Sequence, residues 1–471
     1  MESLITPQAF FPDYSGFLGD KRLERRASSL FSILSSTPSS SIQYISSSRA
    51  EQKAYYRLLN NDKVSEDHLI NEATSRLKKF VQGRDLLCIQ DTSEINLSSH
   101  KGRLKPDSGL GRSDNSETAH CFKLHPSLVL DAASFSPLGF SHIKLFHRPQ
   151  EMPNRMQRVY KSQPIKEKES YKWIEACEES KVILDKAQRV TFVEDREGDI
   201  FEQFALIAND KYHFVVRSRT TRRLAQNKDL YTEVDNQPIL GTYTIELPTD
   251  RRKDQYKRTA TIELRVCKCQ IMCPSNLKNR GYPKTLELSC ISAKEIEPTK
   301  KPIHWRLLTT HQIDDFQQAL QVVDYYSARW YIEQLFRILK KQGFGIESTQ
   351  LESGWAIRKL VIMQMVALLK ILQMNIAYAT DEGQPIEEVF DPDQIEVLKL
   401  INTKLEGKTQ KLKNNYIVGN TKWAAWVIGR MGGWKGYDSQ GPPGVITLIR
   451  GMERLGYIME GMKLAKDVGT Q

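Results

Sequence analysis

The spacing of apolar positions changes character several times along this chain, and each change predicts a different kind of element. Up to about residue 68, Leu23, Leu30 and Leu34 recur at near-helical spacing, and Ser-rich runs (Ser35 to Ser41, Ser46 to Ser48) mark turns between helices. Beyond residue 69 the pattern becomes α/β. Leu86 to Gln90 is a short apolar run of the kind that forms a buried central strand, and it ends at Asp91. A polar, basic, Gly-containing loop follows over Lys101 to Arg112, then two predicted strands over Ser127 to Phe135 and Gly139 to Phe146. Trp173, Cys177 and Ile183 suit a helix over about 166–184, and Val190 to Val193 is a further strand that leads to Asp195.

Strand-like alternation then dominates from 201 to 311, in Tyr212 to Val216, Thr242 to Leu247, Thr259 to Val266, Thr285 to Ile291 and Trp305 to Thr309. Helical character returns at about 313 and carries Glu333. The most apolar stretch, Leu360 to Leu372, is interrupted by Gln364 and Lys370, which makes it too short and too polar to span a bilayer. After 384 come a basic stretch (Lys404, Lys408, Lys411, Lys413), a Gly- and Trp-rich region (Trp423, Trp426, Trp434, Gly441) and apolar residues at helical spacing (Ile446, Ile449, Met452, Leu455, Met459). The expected organisation is a helical domain over 1–68, an α/β core over 69–200 and 312–383, a β-rich insertion over 201–311 and a mainly helical C-terminal domain over 384–471.

Composition narrows the function classes. A length of 471 residues allows two to four domains, and a formal net charge of +11 favours an acidic partner, nucleic acid above all. No repeat of solenoid period is visible. The N-terminus lacks the basic and apolar regions of a secretion signal, and the seven scattered cysteines suit a reducing cytosol, so a cytoplasmic location is expected. Cys267, Cys269 and Cys273 lie in strand-like alternation with no evident fourth ligand and read as ordinary thiols rather than a zinc site.

The candidate chemistry concentrates near residue 330. Tyr326, Arg329, Glu333 and Lys340 stand at offsets of 0, 3, 7 and 14. On one continuous helix, at roughly 100° per residue, they share an arc of about 60°. A stripe of one hydroxyl, two cations and one carboxylate suits a site that holds a metal ion and a phosphate backbone; an amphipathic helix with salt-bridge support is the plainer alternative.

The spacing Tyr-x2-Arg-x3-Glu-x6-Lys resembles the YREK signature of the DDE transposases of the insertion-sequence-four family, bacterial cut-and-paste enzymes. Leu-Leu-Cys-Ile-Gln-Asp-Thr-Ser, containing Asp91 and Thr92, resembles the family's first-aspartate motif. Val-Glu-Asp-Arg-Glu-Gly-Asp-Ile, around Asp195, resembles the second. Leu18 to Arg26 and Ala54 to Asn61 also match, so the resemblance runs from about residue 15 to about 465.

The resemblance implies an RNase H-like catalytic core and a catalytic, metal-binding triad of Asp91, Asp195 and Glu333. Glu194, Glu197 and Asp199 are neighbouring alternatives for the second acid, and Asp195 is favoured because it aligns with the motif. The implied cofactor is two Mg²⁺ ions about 4 Å apart, with Mn²⁺ able to substitute. Tyr326, Arg329 and Lys340 would grip phosphates, and Arg217 would add a contact. Trp305 would stack on an unstacked base, or else be a core aromatic of its strand. The basic cluster Lys21, Arg22, Arg25 and Arg26 would bind the element's ends through phosphates. Implied partners are double-stranded DNA, as terminal inverted repeats and target, and a second copy of the chain, with no membrane and a nucleoid location. A non-catalytic DNA-binding regulator and an RNase H-like nuclease without strand transfer are the other classes.

Overall fold

The computed structural model describes residues 11–105, 109–113, 120–149, 163–247, 257–297, 299, 302–378, 384–437 and 440–469. In chain order come α1 (Lys21–Ser36), α2 (Ile42–Ile45), α3 (Arg49–Leu59), α4 (Glu66–Leu77), β1 (Asp85–Gln90), β2 (Ser93–Asn96), β3 (Cys121–Asp131) and β4 (Pro137–Phe146). Next are α5 (Tyr171–Ile183), β5 (Arg189–Glu194), α6 (Phe201–Ile207), β6 (Tyr212–Arg217), α7 (Leu230–Asp235), β7 (Gly241–Leu247), β8 (Arg258–Met272), β9 (Thr285–Glu295) and β10 (His304–Thr309). The chain closes with α8 (Phe316–Ser327), α9 (Trp330–Lys340), α10 (Gly354–Ile376), α11 (Pro392–Leu405), α12 (Thr421–Met431) and α13 (Val445–Gly469).

The chain divides into two compact units, one of residues 1–82, 92–152 and 331–471, the other of 83–91 and 153–330. The second unit is built on a mixed sheet. β1, β5 and β6 run parallel, β10 joins β6 antiparallel, and β9, β8 and β7 follow antiparallel. The β-rich stretch therefore extends the sheet that carries β1 and β5. β1 and β5 are apolar and buried along nearly their whole length, as expected of parallel strands covered on both faces. β7, at the end of this series, alternates between half-buried and exposed positions.

The first unit centres on α10. Its 23 residues contain no acidic side chain and are buried on nearly every face, so the helix needs neighbours all round. It finds them in α1, α3, α4, α12, α13 and β4. Buried Arg358 ties this core together: its guanidinium stands 2.7 Å from a Glu66 carboxylate oxygen and donates to the carbonyls of Gly109 and Leu145. Four helices open with a side-chain cap in the first 70 residues alone: Asp20, Ser41, Ser48 and Ser65 each accept a backbone N–H of the turn they begin.

The structure moves several boundaries. β3 starts at Cys121 and ends at Asp131, six residues earlier at its start than the apolar pattern suggests. Phe135, expected to close that strand, has a positive φ of 55° and sits in the turn to β4. α5 begins at Tyr171, after a 3₁₀ turn over Ile165–Glu167. Part of the basic loop expected over 101–112 lies outside the described residues. Cys267, Cys269 and Cys273 are buried free thiols; Cys267 stands opposite Cys290 in the register of β8 and β9. Among the described residues no helix is long and apolar enough to cross a membrane.

Candidate active site

The register of the parallel strands sets the site. Ile89 of β1 lies opposite Val193 of β5, and Asp91 and Asp195 each stand two residues further along. Glu194 lies opposite Val216 of β6, which places Arg217 on the row of Asp195. Two carboxylates and a guanidinium thus come to the C-terminal ends of three adjacent parallel strands. Neighbouring strands are about 4.8 Å apart, so the two carboxylates repel unless cations offset them.

One cation is already there. The Arg329 Nη1 donates to Asp91 Oδ2 at 3.0 Å, and both side chains are about one-fifth exposed. The same guanidinium lies 5.9 Å from the centre of the Tyr326 ring, and Tyr326 packs edge-on against Trp305 at 5.2 Å between ring centres. Trp305 is half-buried on β10, and Tyr326 is 4% exposed.

The four acids around the second aspartate separate by environment. Glu194 is fully buried, where it accepts from Gln203 Nε2 at 2.6 Å; burial holds its carboxyl well above the usual carboxylate range. Glu197 is exposed and pairs with Lys172 at 3.4 Å. Asp199 is buried against the Arg222 guanidinium and accepts from the Arg219 backbone N–H at 2.8 Å. Asp195 is half-buried and accepts from the Glu197 backbone N–H at 2.8 Å, capping the turn Arg196–Gly198. Of the four, it is the carboxylate partly open to solvent at the strand end without a salt-bridge cation among the described residues.

The stripe expected on one helix is interrupted. α8 ends at Ser327, with Ala328 as its cap, and the Arg329 N–H bonds the Tyr326 carbonyl at 3.1 Å, a tighter i to i−3 turn. The advance of 100° per residue does not carry across that turn. Tyr326 and Arg329 therefore belong with the sheet unit, whereas Glu333, half-buried in the first turn of α9, and Lys340, in its last turn, belong with the helical unit. Lys340 Nζ stands 3.9 Å from Glu347 Oε1, and burial depresses its pKa. The sequence reading did not single out Glu347. An acid seven residues beyond Lys340 carries no periodic signal, because α9 ends between them.

At the N-terminus, Lys21, Arg22 and Arg25 are exposed on the first turns of α1 and Arg26 is half-buried. Arg22 folds back on Asp20 at 3.0 Å, a contact of two largely solvated groups.

Among the described residues, no group of three His, Cys, Asp or Glu side chains is close enough to hold a metal ion. The pair Asp91 and Asp195 nonetheless fits Mg²⁺, a hard cation that keeps several waters and commonly takes one or two carboxylates together with substrate phosphates.

Fold and site define a mixed α/β protein with acids at the ends of parallel strands. Residues 191–370 match the family model described as transposase DDE domain, and residues 17–64 the one described as transposase DNA-binding. These stretches are thus similar to a transposase DDE domain and to a transposase DNA-binding domain; a DDE domain implies an RNase H-like core and the use of divalent metal ions. Among solved structures the chain is similar to a piggyBac transposase in a synaptic complex with hairpin DNA, at 9% identity and a TM-score of 0.31. That likeness covers 66% of this chain and 55% of the other, so this chain spans about half the length of the transposase it matches.

Proposed function

We propose that the protein is a cut-and-paste DNA transposase of the insertion-sequence-four type. The observation that carries this reading is the row formed by Asp91 and Asp195 at adjacent parallel strand ends, with Arg329 on Asp91, in a chain whose residues 191–370 match a DDE domain. Asp91 and Asp195 would hold Mg²⁺ together with substrate phosphates, with Glu333 as the third acid of the set, two ions in all and Mn²⁺ as a substitute. When bound, such ions neutralise charge at the scissile phosphate and ease ionisation of an attacking water.

The chain's own residues bind and orient the DNA. Arg329 offers a planar fork that can grip a phosphate in two places, and Arg217 adds a second guanidinium on the same row. Lys340 and Tyr326 complete the phosphate grip. Trp305, half-buried beside Tyr326, receives a base displaced from the stack, recovering part of the few kcal/mol that extrusion costs. Arg22, Arg25 and Arg26 contact phosphates of the terminal inverted repeats and supply affinity rather than sequence readout. Two copies pair the element's ends. Water cuts one strand, the freed 3′-OH attacks the other to give a hairpin, a second water opens the hairpin and restores the 3′-OH, and that 3′-OH joins target DNA.

The experiment is cleavage and joining of a duplex bearing the element's own ends, with Mg²⁺ and with chelator, for the native chain and Glu333→Gln. Metal-dependent nicking and joining by the native chain, lost in the variant while end binding persists, is the expected result. End binding without cleavage by either protein would replace this reading with a DNA-binding regulator. Hydrolysis without joined strands would make the protein a nuclease.

A further inference from the structure

Lys340 is held in an unusual way for a half-buried cation. Its side chain is 21% exposed, yet among the described residues no acceptor stands at hydrogen-bonding distance from Nζ; the nearest charged partner is Glu347 Oε1 at 3.9 Å. Its three N–H donors are therefore not committed to a protein acceptor among the described residues. Desolvation works against the charged form, and the carboxylates of Glu347 and Glu94 work for it, with Lys341 opposing them.

Glu347 is the better placed of the two acids. It sits in the 3₁₀ turn Ile346–Ser348, entered through Gly345 in the left-handed conformation at φ 59°. Its Oε1 accepts the Asn96 backbone N–H at 3.0 Å, at the end of β2, and His100 Nε2 meets its main-chain oxygen at 2.6 Å. Ser40 Oγ donates to the Gly345 carbonyl at 2.9 Å and fixes the same turn from another side. Glu94 lies on β2 opposite Lys123 of β3 and accepts from Ser113 Oγ at 2.7 Å, so its charge is shared with other groups.

We propose that Glu347 is a positioning residue: anchored to the end of β2, it keeps the Lys340 ammonium in place with its donors available for a DNA phosphate. The phosphate role of Lys340 rests on the transposase reading; the hold of Glu347 on Lys340 does not. Close approach without a hydrogen bond is the useful geometry, because a phosphate can then be bound without a protein contact being broken. A carboxylate at full contact would compete with the phosphate for the same donors.

The test uses the full chain labelled with ¹³Cε-lysine, with Lys340→Arg to assign the signal. Glu347→Gln keeps an oxygen for the Asn96 N–H and removes only the charge. The Lys340 signal is expected to titrate at lower pH in Glu347→Gln than in the native chain, and Glu347→Asp to recover part of the difference. Cleavage of an end-bearing duplex by Glu347→Gln is expected to lose its alkaline range at correspondingly lower pH, with the melting temperature held. An unchanged Lys340 titration in Glu347→Gln overturns the proposal. A native chain that never cuts DNA overturns the transposase reading, and the lysine titration still decides the role of Glu347.

Discussion

Arg329 and Asp91 are 238 residues apart in sequence and joined by a 3.0 Å hydrogen-bonded ion pair. Arg329 is the last residue but one before the chain passes from the sheet unit to the helical unit. Its side chain thus ties the turn that follows α8 to the end of β1. The planar fork matters here, since it can face the Asp91 carboxylate and a second anion at once.

Arg329→Lys keeps the charge and loses the fork. Cleavage of an end-bearing duplex is expected to fall by about 100-fold, the order seen when one charge-stabilising donor is lost, with end binding reduced far less. Single-turnover rates beside a gel-shift titration measure both. Equal rates for the two proteins would remove Arg329 from the phosphate grip.

The two neighbouring acids Glu194 and Asp195 give opposite expectations. Glu194 is buried and bonded to Gln203, and burial works against its charged form, so the neutral Glu194→Gln is expected to be tolerated and to leave cleavage close to native. Asp195→Asn removes a charge at the strand end and is expected to abolish cleavage and weaken Mn²⁺ binding, as read by calorimetry. The reverse outcome would transfer the role of second acid to Glu194.

Gly198 is required by close approach. A Cβ there would stand 1.9 Å from Glu194 Oε2, which is locked in the interior. Gly198→Ala must displace Glu194 or the turn that Asp195 caps, and overpacking of this kind costs about 1–3 kcal/mol. A lower melting temperature together with reduced cleavage is expected, and the double variant Gly198→Ala, Glu194→Ala is expected to regain part of the stability.

His213 and His311 stack at 4.3 Å between ring centres in the sheet unit, near Arg189, Asp210 and Tyr325. Burial is the largest cause that holds His311 down, to about 3, and His213 and Arg189 add to it. An unfolded histidine titrates near 6.5, so below that pH the unfolded chain binds more protons than the folded one. The contribution of His311 is therefore fully present above about pH 6.5 and declines as pH falls towards 3, by up to roughly 1.4 kcal/mol per unit. Melting temperatures between pH 7 and pH 5 should fall more steeply for the native chain than for His311→Phe. Parallel slopes would mean that the pair does not govern acid stability.

Much of this architecture was legible in the residues. Apolar runs located β1 and β5 within a residue or two, because a buried parallel strand must be apolar on both faces. Alternation located β6, β7 and β10 closely and the first part of β8 and β9, and the runs of β1, β5 and β6 end near the polar residues those strands deliver: Asp91, Asp195 and Arg217. The first half of β3, Cys121 to Pro126, leaves no strand signal because Lys123, His125 and Pro126 read locally as a loop, yet all three are buried in the fold. No Gly or Pro in Tyr-Tyr-Ser-Ala-Arg-Trp signals a break, so the sequence predicts one continuous helix for the four-residue stripe, whereas α8 ends at Ser327.

The sequence by itself determined which residue types lie at the ends of which elements, since hydrophobic period and length are local properties of the chain. Tertiary structure alone decided the register that sets Asp91, Asp195 and Arg217 in one row, the meeting of Arg329 with Asp91, and the separation of buried Glu194 from open Asp195. Those relations depend on hydrogen bonding and desolvation between segments far apart in sequence, and neither leaves a periodic trace in the chain that carries them.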